Sequence, residues 1–208
     1  MTCLNLVCGV LACVAALSGD ATMASVWIIL AAVFDFLDGF VARALHAVSS
    51  IGKELDSLCD CVSFGVAPAL MVWHMLEASP WRYAAILIAV CGAVRLARFN
   101  CDDTQTTSFV GLPIPANALF WTGASSLLSQ WELDGDTCSI VLLVVLMSYL
   151  MVSPRRLFSL KIKSLAFKKA WHIYLLAVAA VAAVALMGWG GVSMTIIFYL
   201  VLTWFVKA

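Results

Sequence analysis

Long apolar runs alternate with short polar breaks along the whole chain. The runs lie near 3 to 18, 22 to 44, 51 to 76, 80 to 99, 113 to 130, 138 to 153, 170 to 187 and 191 to 206. A membrane crossing needs about 17–25 predominantly apolar residues. The pattern therefore predicts an all-α, polytopic membrane bundle of about eight transmembrane helices, the shortest of them tilted or re-entrant. One membrane domain is expected over 1–208, divided into a six-helix core at 1–153, a basic segment at 154–169 and a C-terminal helix pair at 170–208.

Composition agrees with the pattern, since 64% of the 208 residues are hydrophobic and 12% charged, too little polar surface for a soluble domain. Twelve basic and twelve acidic residues give a net charge of zero, without the basic excess that nucleic-acid binding requires. The distribution of charge says more than its sum. With eight crossings, Arg43, Lys53, Arg95, Arg98, Arg155, Arg156, Lys161, Lys163, Lys168, Lys169 and Lys207 all fall on one side, and Arg82 alone on the other. By the positive-inside rule the crowded side faces the cytoplasm. The first apolar run lacks a basic lead-in and continues directly into the next span, so no secretory signal peptide is expected. The chain begins almost inside a helix, as it would if a short amphipathic segment had preceded it.

The eight cysteines fall mostly within apolar runs and read as small apolar residues rather than a disulfide framework. His46, His74 and His172 are isolated and receive no chemistry.

One stretch departs from the apolar pattern. Asp35-Phe-Leu-Asp38-Gly39-Phe-Val-Ala42-Arg43 is followed by Gly52, Asp56 and Asp60. A charge at the bilayer centre costs roughly 2.5–3.5 kcal/mol even on insertion scales, so four carboxylates here imply a function. On helices, Asp35 and Asp38 share a face by i, i+3, and Asp56 and Asp60 by i, i+4. Two such faces turned together converge four carboxylates, whose repulsion a hard divalent cation, or a pair of them, removes. All-oxygen ligation suits Mg²⁺, Mn²⁺ or Ca²⁺ rather than zinc. Gly39 and Gly52 leave room for a bulky polar ligand, and Arg43 offers a fork for phosphate. Glu54, two residues from Asp56, is expected to face elsewhere. The chemistry indicated is metal-assisted attack on a phosphate.

The spacing Asp-x2-Asp-Gly-x2-Ala-Arg-x8-Gly-x3-Asp-x3-Asp resembles the signature of the CDP-alcohol phosphatidyltransferases at every fixed position from Asp35 to Asp60. Arg95-Leu-Ala-Arg98-Phe-Asn100, Phe109-x-Gly111-Leu-Pro113-Ile-Pro115-Ala116 and Leu150-Met-Val-Ser153 with Ser159-Leu-Lys161 are similar to its phosphatidylserine synthase branch. The resemblance covers roughly residues 2 to 161 and implies a membrane transferase joining CDP-diacylglycerol to L-serine, with Mg²⁺ or Mn²⁺ as cofactor. It further implies that Asp35, Asp38, Asp56 and Asp60 hold two ions and that Asp60 is the general base. Asn5, Gly39, Ala42, Arg43 and Gly52 would border CDP, and Arg95, Arg98, Ser153 and Lys161 the acceptor or its phosphate. A homodimer in the cell (inner) membrane is expected on the same ground. Two rivals remain: the same chemistry with glycerol 3-phosphate or inositol phosphate as acceptor, and a cation transporter using the aspartates as its ion site.

Among the remaining polar features, Pro68 is expected to kink the third span. Gly111 to Pro115 should break the backbone before the fifth span. Residues 154–169, basic with interleaved apolar positions, read as an interfacial helix on anionic headgroups.

Overall fold

The computed structural model describes all residues except 45–48, 77–78, 102–108, 131–136, 155, 158–166 and 206–208. Each apolar run becomes helical. Helix α1 spans Thr2–Leu17 and α2 Ala21–Ala44; α3 (Ser50–Asp60), a π-helical turn (Cys61–Val66) and α4 (Ala67–Met75) form one continuous rod. A 3₁₀ segment, Pro80–Ala85, leads into α5 (Ile86–Cys101), and α6 (Ile114–Gln130), α7 (Thr137–Val152), α8 (Phe167–Met187) and α9 (Gly190–Phe205) follow. The rods Ala21–Ala42, Ile51–Met75 and Pro80–Cys101 are each long and apolar enough to cross a membrane. Helices α1 and α7, at 16 residues each, are shorter, about 24 Å at 1.5 Å per residue. The chain is an integral membrane helix bundle.

Local chemistry sets the helix starts. The Asp20 carboxylate accepts from the Met23 amide at 2.9 Å at the head of α2, and the Ser49 hydroxyl accepts from the Gly52 amide at 3.0 Å at the head of α3. The faces follow residue size. On α1 the buried positions are Asn5, Cys8, Gly9, Ala12 and Ala16, at helical spacing, while Val7, Val10, Val14 and Leu17 face outward. Small residues inside and branched aliphatics outside is the arrangement expected where helices pack within lipid. Through its buried face α1 packs on α2 and on the α3–α4 rod; α6 packs on α2, α4 and α9, and α8 covers α9. Trp121, fully buried, lies at the centre of α6.

Two expectations need correction in detail. The departure from regular helix at Pro68 lies one turn earlier, where the Ala67 amide donates to the Val62 carbonyl five residues back. Pro68 has no N–H and its ring crowds the carbonyl four residues before it, and the wider turn relieves that crowding. The basic segment begins as a strand rather than a helix: β1 (Phe109–Val110) pairs antiparallel with β2 (Arg156–Leu157), Phe109 opposite Leu157 and Val110 opposite Arg156. The rest of the expected interfacial helix, including Lys161, lies outside the described residues up to Phe167.

The pairing is anchored at Gly111, whose φ of +76° suits glycine and where a Cβ would lie 2.3 Å from the Met151 carbonyl oxygen. The Leu112 amide then donates to the Leu150 carbonyl at 3.0 Å, joining the entry of α6 to the exit of α7. Up-and-down connectivity brings the start of α1, the end of α2, the start of α3, the end of α5, the start of α6 and the end of α7 to one end of the bundle.

Candidate active site

That end carries the carboxylates. Asp35 and Asp38 stand one turn apart on α2, and Asp56 faces them from α3; one carboxylate oxygen from each lies within 4.8 Å of the others. All three are half-buried. Oδ1 of Asp56 is buried without a hydrogen-bond partner. A carboxylate oxygen taken from water needs a donor or a cation, and three convergent carboxylates form a hard oxygen set suited to a divalent ion. The residues fit a metal. Thr2, at the start of α1, donates its hydroxyl to Oδ2 of Asp38, which fixes that carboxylate against the neighbouring helix.

Asp60 stands outside this close group. It is 8% exposed and accepts at Oδ1 a hydrogen bond of 3.0 Å from Nδ2 of Asn5. Asn5 itself is fully buried, and its own Oδ1 has no partner. The Ser63 hydroxyl, in the π turn, donates to the Asn5 carbonyl at 3.1 Å. Asp60 also interacts electrostatically with Asp35, with Asp56 and with Arg95 from α5. Arg95 lies with its guanidinium carbon 5.4 Å from the centre of the Phe99 ring.

The other expected residues distribute as follows. Gly39 and Ala42 continue the Asp35–Asp38 face of α2 by one further turn, at i+4 and i+7 from Asp35. Gly52 opens α3, and a Cβ there would meet only the Ser49 hydroxyl, at 3.0 Å. Arg43 belongs to α2, but its side chain, like Lys161, lies outside the described part. Arg98 donates from Nη1 to the Val152 carbonyl at 2.8 Å, capping the C-terminus of α7 with a cation. Ser153, buried, follows immediately. Glu54 does face away from the cluster, at 3.5 Å from Nδ2 of Asn100, whose better partner is the Ser57 hydroxyl at 2.9 Å.

Spacing alone did not find Ser63 or the Thr2–Asp38 link. The first depends on α1 lying against the π turn and the second on α1 lying against α2, and the signal in the sequence was the short i, i+3 pair of polar residues, Thr2 and Asn5, in an apolar helix.

The fold and the site together define an integral membrane helix bundle with carboxylates from two adjacent helices converging at one end. The sequence model described as CDP-alcohol phosphatidyltransferase matches residues 1–204, and the chain belongs to that family. Among relatives, it is 42% identical over 126 residues to the CDP-diacylglycerol–serine O-phosphatidyltransferase of Methanocaldococcus jannaschii, covering 61% of this chain and 59% of that protein. It is 36% identical over 168 residues to the enzyme of the same name from Bacillus subtilis, covering 79% and 87%. With the archaetidylserine synthase of Methanothermobacter thermautotrophicus it shares 35% identity over 161 residues, covering 74% and 65%. The matched part spans 59% of the first relative's length and about half, 47% to 49%, of the mycobacterial ones.

Proposed function

We propose that the protein transfers the phosphatidyl group of CDP-diacylglycerol to the hydroxyl of L-serine, giving phosphatidylserine and CMP. The carrying observation is the convergence of Asp35, Asp38 and Asp56 within 4.8 Å, on the motif of the family. Serine as acceptor is supported by the names of the relatives.

Asp35, Asp38 and Asp56, with Asp60 completing the set, would hold two divalent ions, Mg²⁺ or Mn²⁺. When bound, these neutralise the pyrophosphate and the charge that develops on the departing phosphate. Asp60 is the general base. Its Oδ1 is held by Asn5, which leaves Oδ2 to accept the proton of the serine hydroxyl. The serine oxygen forms a bond to the phosphorus that carries diacylglycerol, the bond from that phosphorus to the bridging oxygen breaks in line, and CMP leaves with the electron pair. Gly39, Ala42, Arg43 and Gly52 line the CDP moiety, with Asn5 at its edge.

Arg95, near Asp60, receives the carboxylate of serine or the lipid-linked phosphate. Arg98 acts chiefly by holding the end of α7, where Ser153 sits, and Lys161 borders the same pocket. The site opens to the cytoplasm of the cell membrane, as the one-sided basic residues support, and the enzyme is a homodimer, an expectation carried from the family.

The test is CMP release by purified protein with CDP-diacylglycerol and Mg²⁺ or Mn²⁺, comparing L-serine, glycerol 3-phosphate and inositol phosphate. Serine-dependent release abolished by EDTA is expected. Release only with a phosphorylated alcohol would overturn the acceptor while keeping the chemistry. Failure of CDP to raise the unfolding temperature in any condition would favour a simple cation carrier.

A further inference from the structure

The hydroxyls of the bundle divide by where they send their protons. Ser25, Ser57 and Thr195 donate to carbonyls four residues back in their own helices, the usual solution for a hydroxyl in an apolar helix. Ser63 does not. Its hydroxyl crosses to α1 and donates to the Asn5 carbonyl at 3.1 Å, and it is fully buried there.

Two features make the crossing possible. The π turn at Cys61–Val66 places an extra residue in the helix just after Asp60 and turns Ser63 toward α1. Opposite it lies Gly9, where a Cβ would sit 2.1 Å from the Ser63 hydroxyl oxygen and 2.8 Å from its Cα. Only the absence of a side chain at Gly9 permits this approach.

The result is a closed clamp. Asn5 is gripped through its main chain by Ser63 and reaches with its side chain to Oδ1 of Asp60, at 3.0 Å, three residues before Ser63 on the partner rod. Among the four motif carboxylates, Asp60 is the one outside the close group of three. We infer that Ser63 is a positioning residue, which, acting through Asn5, fixes the orientation of the Asp60 carboxylate toward the acceptor hydroxyl. The inference rests on Asp60 being the base. The clamp draws on a π turn beside the base, a glycine facing it and a hydroxyl that leaves its own helix, and the last two are features that phosphatidyl transfer by itself does not require.

Ser63→Ala keeps the backbone and removes only the crossing hydrogen bond. Its kcat for CMP release should fall about tenfold, less than the roughly 10²–10⁴-fold of a lost general base. KM for CDP-diacylglycerol and for serine should stay within about twofold, as when an interaction serves the transition state and not binding. In an Asn5→Ala background the same substitution should change kcat less than twofold, because the link it acts through is already gone.

An unchanged kcat in Ser63→Ala, an effect confined to KM, or a full tenfold loss persisting without Asn5 would each overturn the inference. A lower unfolding temperature with normal kcat would reduce Ser63 to a packing role. Should the alanine variant not stay folded, Ser63→Cys, with similar shape and a weaker donor, carries the same expectations. Asp60→Asn separates the two readings: normal turnover there removes the base itself, whereas a dead Asp60→Asn beside a normal Ser63→Ala removes only the positioning.

Discussion

The two ends of the bundle handle polar side chains differently. Far from the carboxylates, Ser25, Thr122, Ser125 and Thr195 close on carbonyls three or four residues back, and Arg82 spreads over the rings of Trp73 and Tyr83 at 5.0 and 5.5 Å. Ser193, which donates to the Phe120 carbonyl, is an exception that pins α9 to α6. At the acidic end Thr2, Asn5, Ser63, Arg98 and Asn100 all reach another helix, and Ser57, which donates to its own helix, accepts from Asn100 across the bundle. Groups satisfied locally let a helix enter the membrane as an independent unit. Groups satisfied across helices make the geometry of the site a property of the assembly. Substitutions at the acidic end should therefore affect turnover first, and those at the far end stability, by small amounts.

The largest effect is expected at the convergent carboxylates. Asp56→Asn removes the negative charge of a carboxylate whose Oδ1 is buried and has no partner, and it should lower CMP release by at least about 10³-fold. Thermal unfolding should stay within a few degrees of the parent, because relieving repulsion among three close carboxylates offsets the lost ligand. A well-folded Asp56→Asn with near-normal release would dissociate the cluster from the chemistry.

Next comes Gly9→Val. The added atoms collide with Ser63 and its backbone, and forced overpacking of this kind costs about 1–3 kcal/mol. Both unfolding temperature and turnover should drop, whereas a valine at an outward position of the same helix should be neutral. Equal effects at the two positions would mean that α1 does not approach the π turn so closely.

The two arginines of α5 offer a finer comparison. Arg95 lies within electrostatic reach of Asp60, while Arg98 is spent on the Val152 carbonyl at 2.8 Å. Arg95→Ala should raise the KM for serine about tenfold, the size of one charge-assisted contact of roughly 1.4 kcal/mol. Arg98→Ala should raise it about threefold or less and lower the unfolding temperature by a few degrees. The reverse order would make Arg98 the anion binder.

How much of this was legible in the sequence depended on distance along the chain. The helices were, because lipid demands runs of a set length, and Asp35, Asp38 and Asp56 were, because i, i+3 spacing and a short connection bring them together. The clamp was not, since Asn5 and Asp60 are 55 residues apart and their partnership depends on the packing of α1. A π turn leaves almost no trace in apolar periodicity, because the residues that follow Asp60 on the rod are nearly all apolar and one extra residue among them exposes nothing new. The partner of Arg98 is a backbone carbonyl, which carries no residue identity. At Arg156–Leu157 the alternation of basic and apolar residues suited an amphipathic helix equally well, and pairing with Phe109–Val110 decided otherwise.

The smallest effect is also the sharpest control. Ser25→Ala, like Ser63→Ala, deletes one buried hydroxyl whose acceptor is a helical carbonyl. In each case that carbonyl keeps the helical N–H four residues on, so no acceptor is orphaned, and each deletion should cost about 0.5–1.5 kcal/mol or less. The two variants should unfold within a few degrees of each other. They should differ in turnover, normal for Ser25→Ala and about tenfold reduced for Ser63→Ala, since only one hydroxyl is tied, through Asn5, to the carboxylate proposed as the base. If both variants lost activity in proportion to stability, the contrast between the ends would be one of packing alone, and position relative to Asp60 would carry no separate weight.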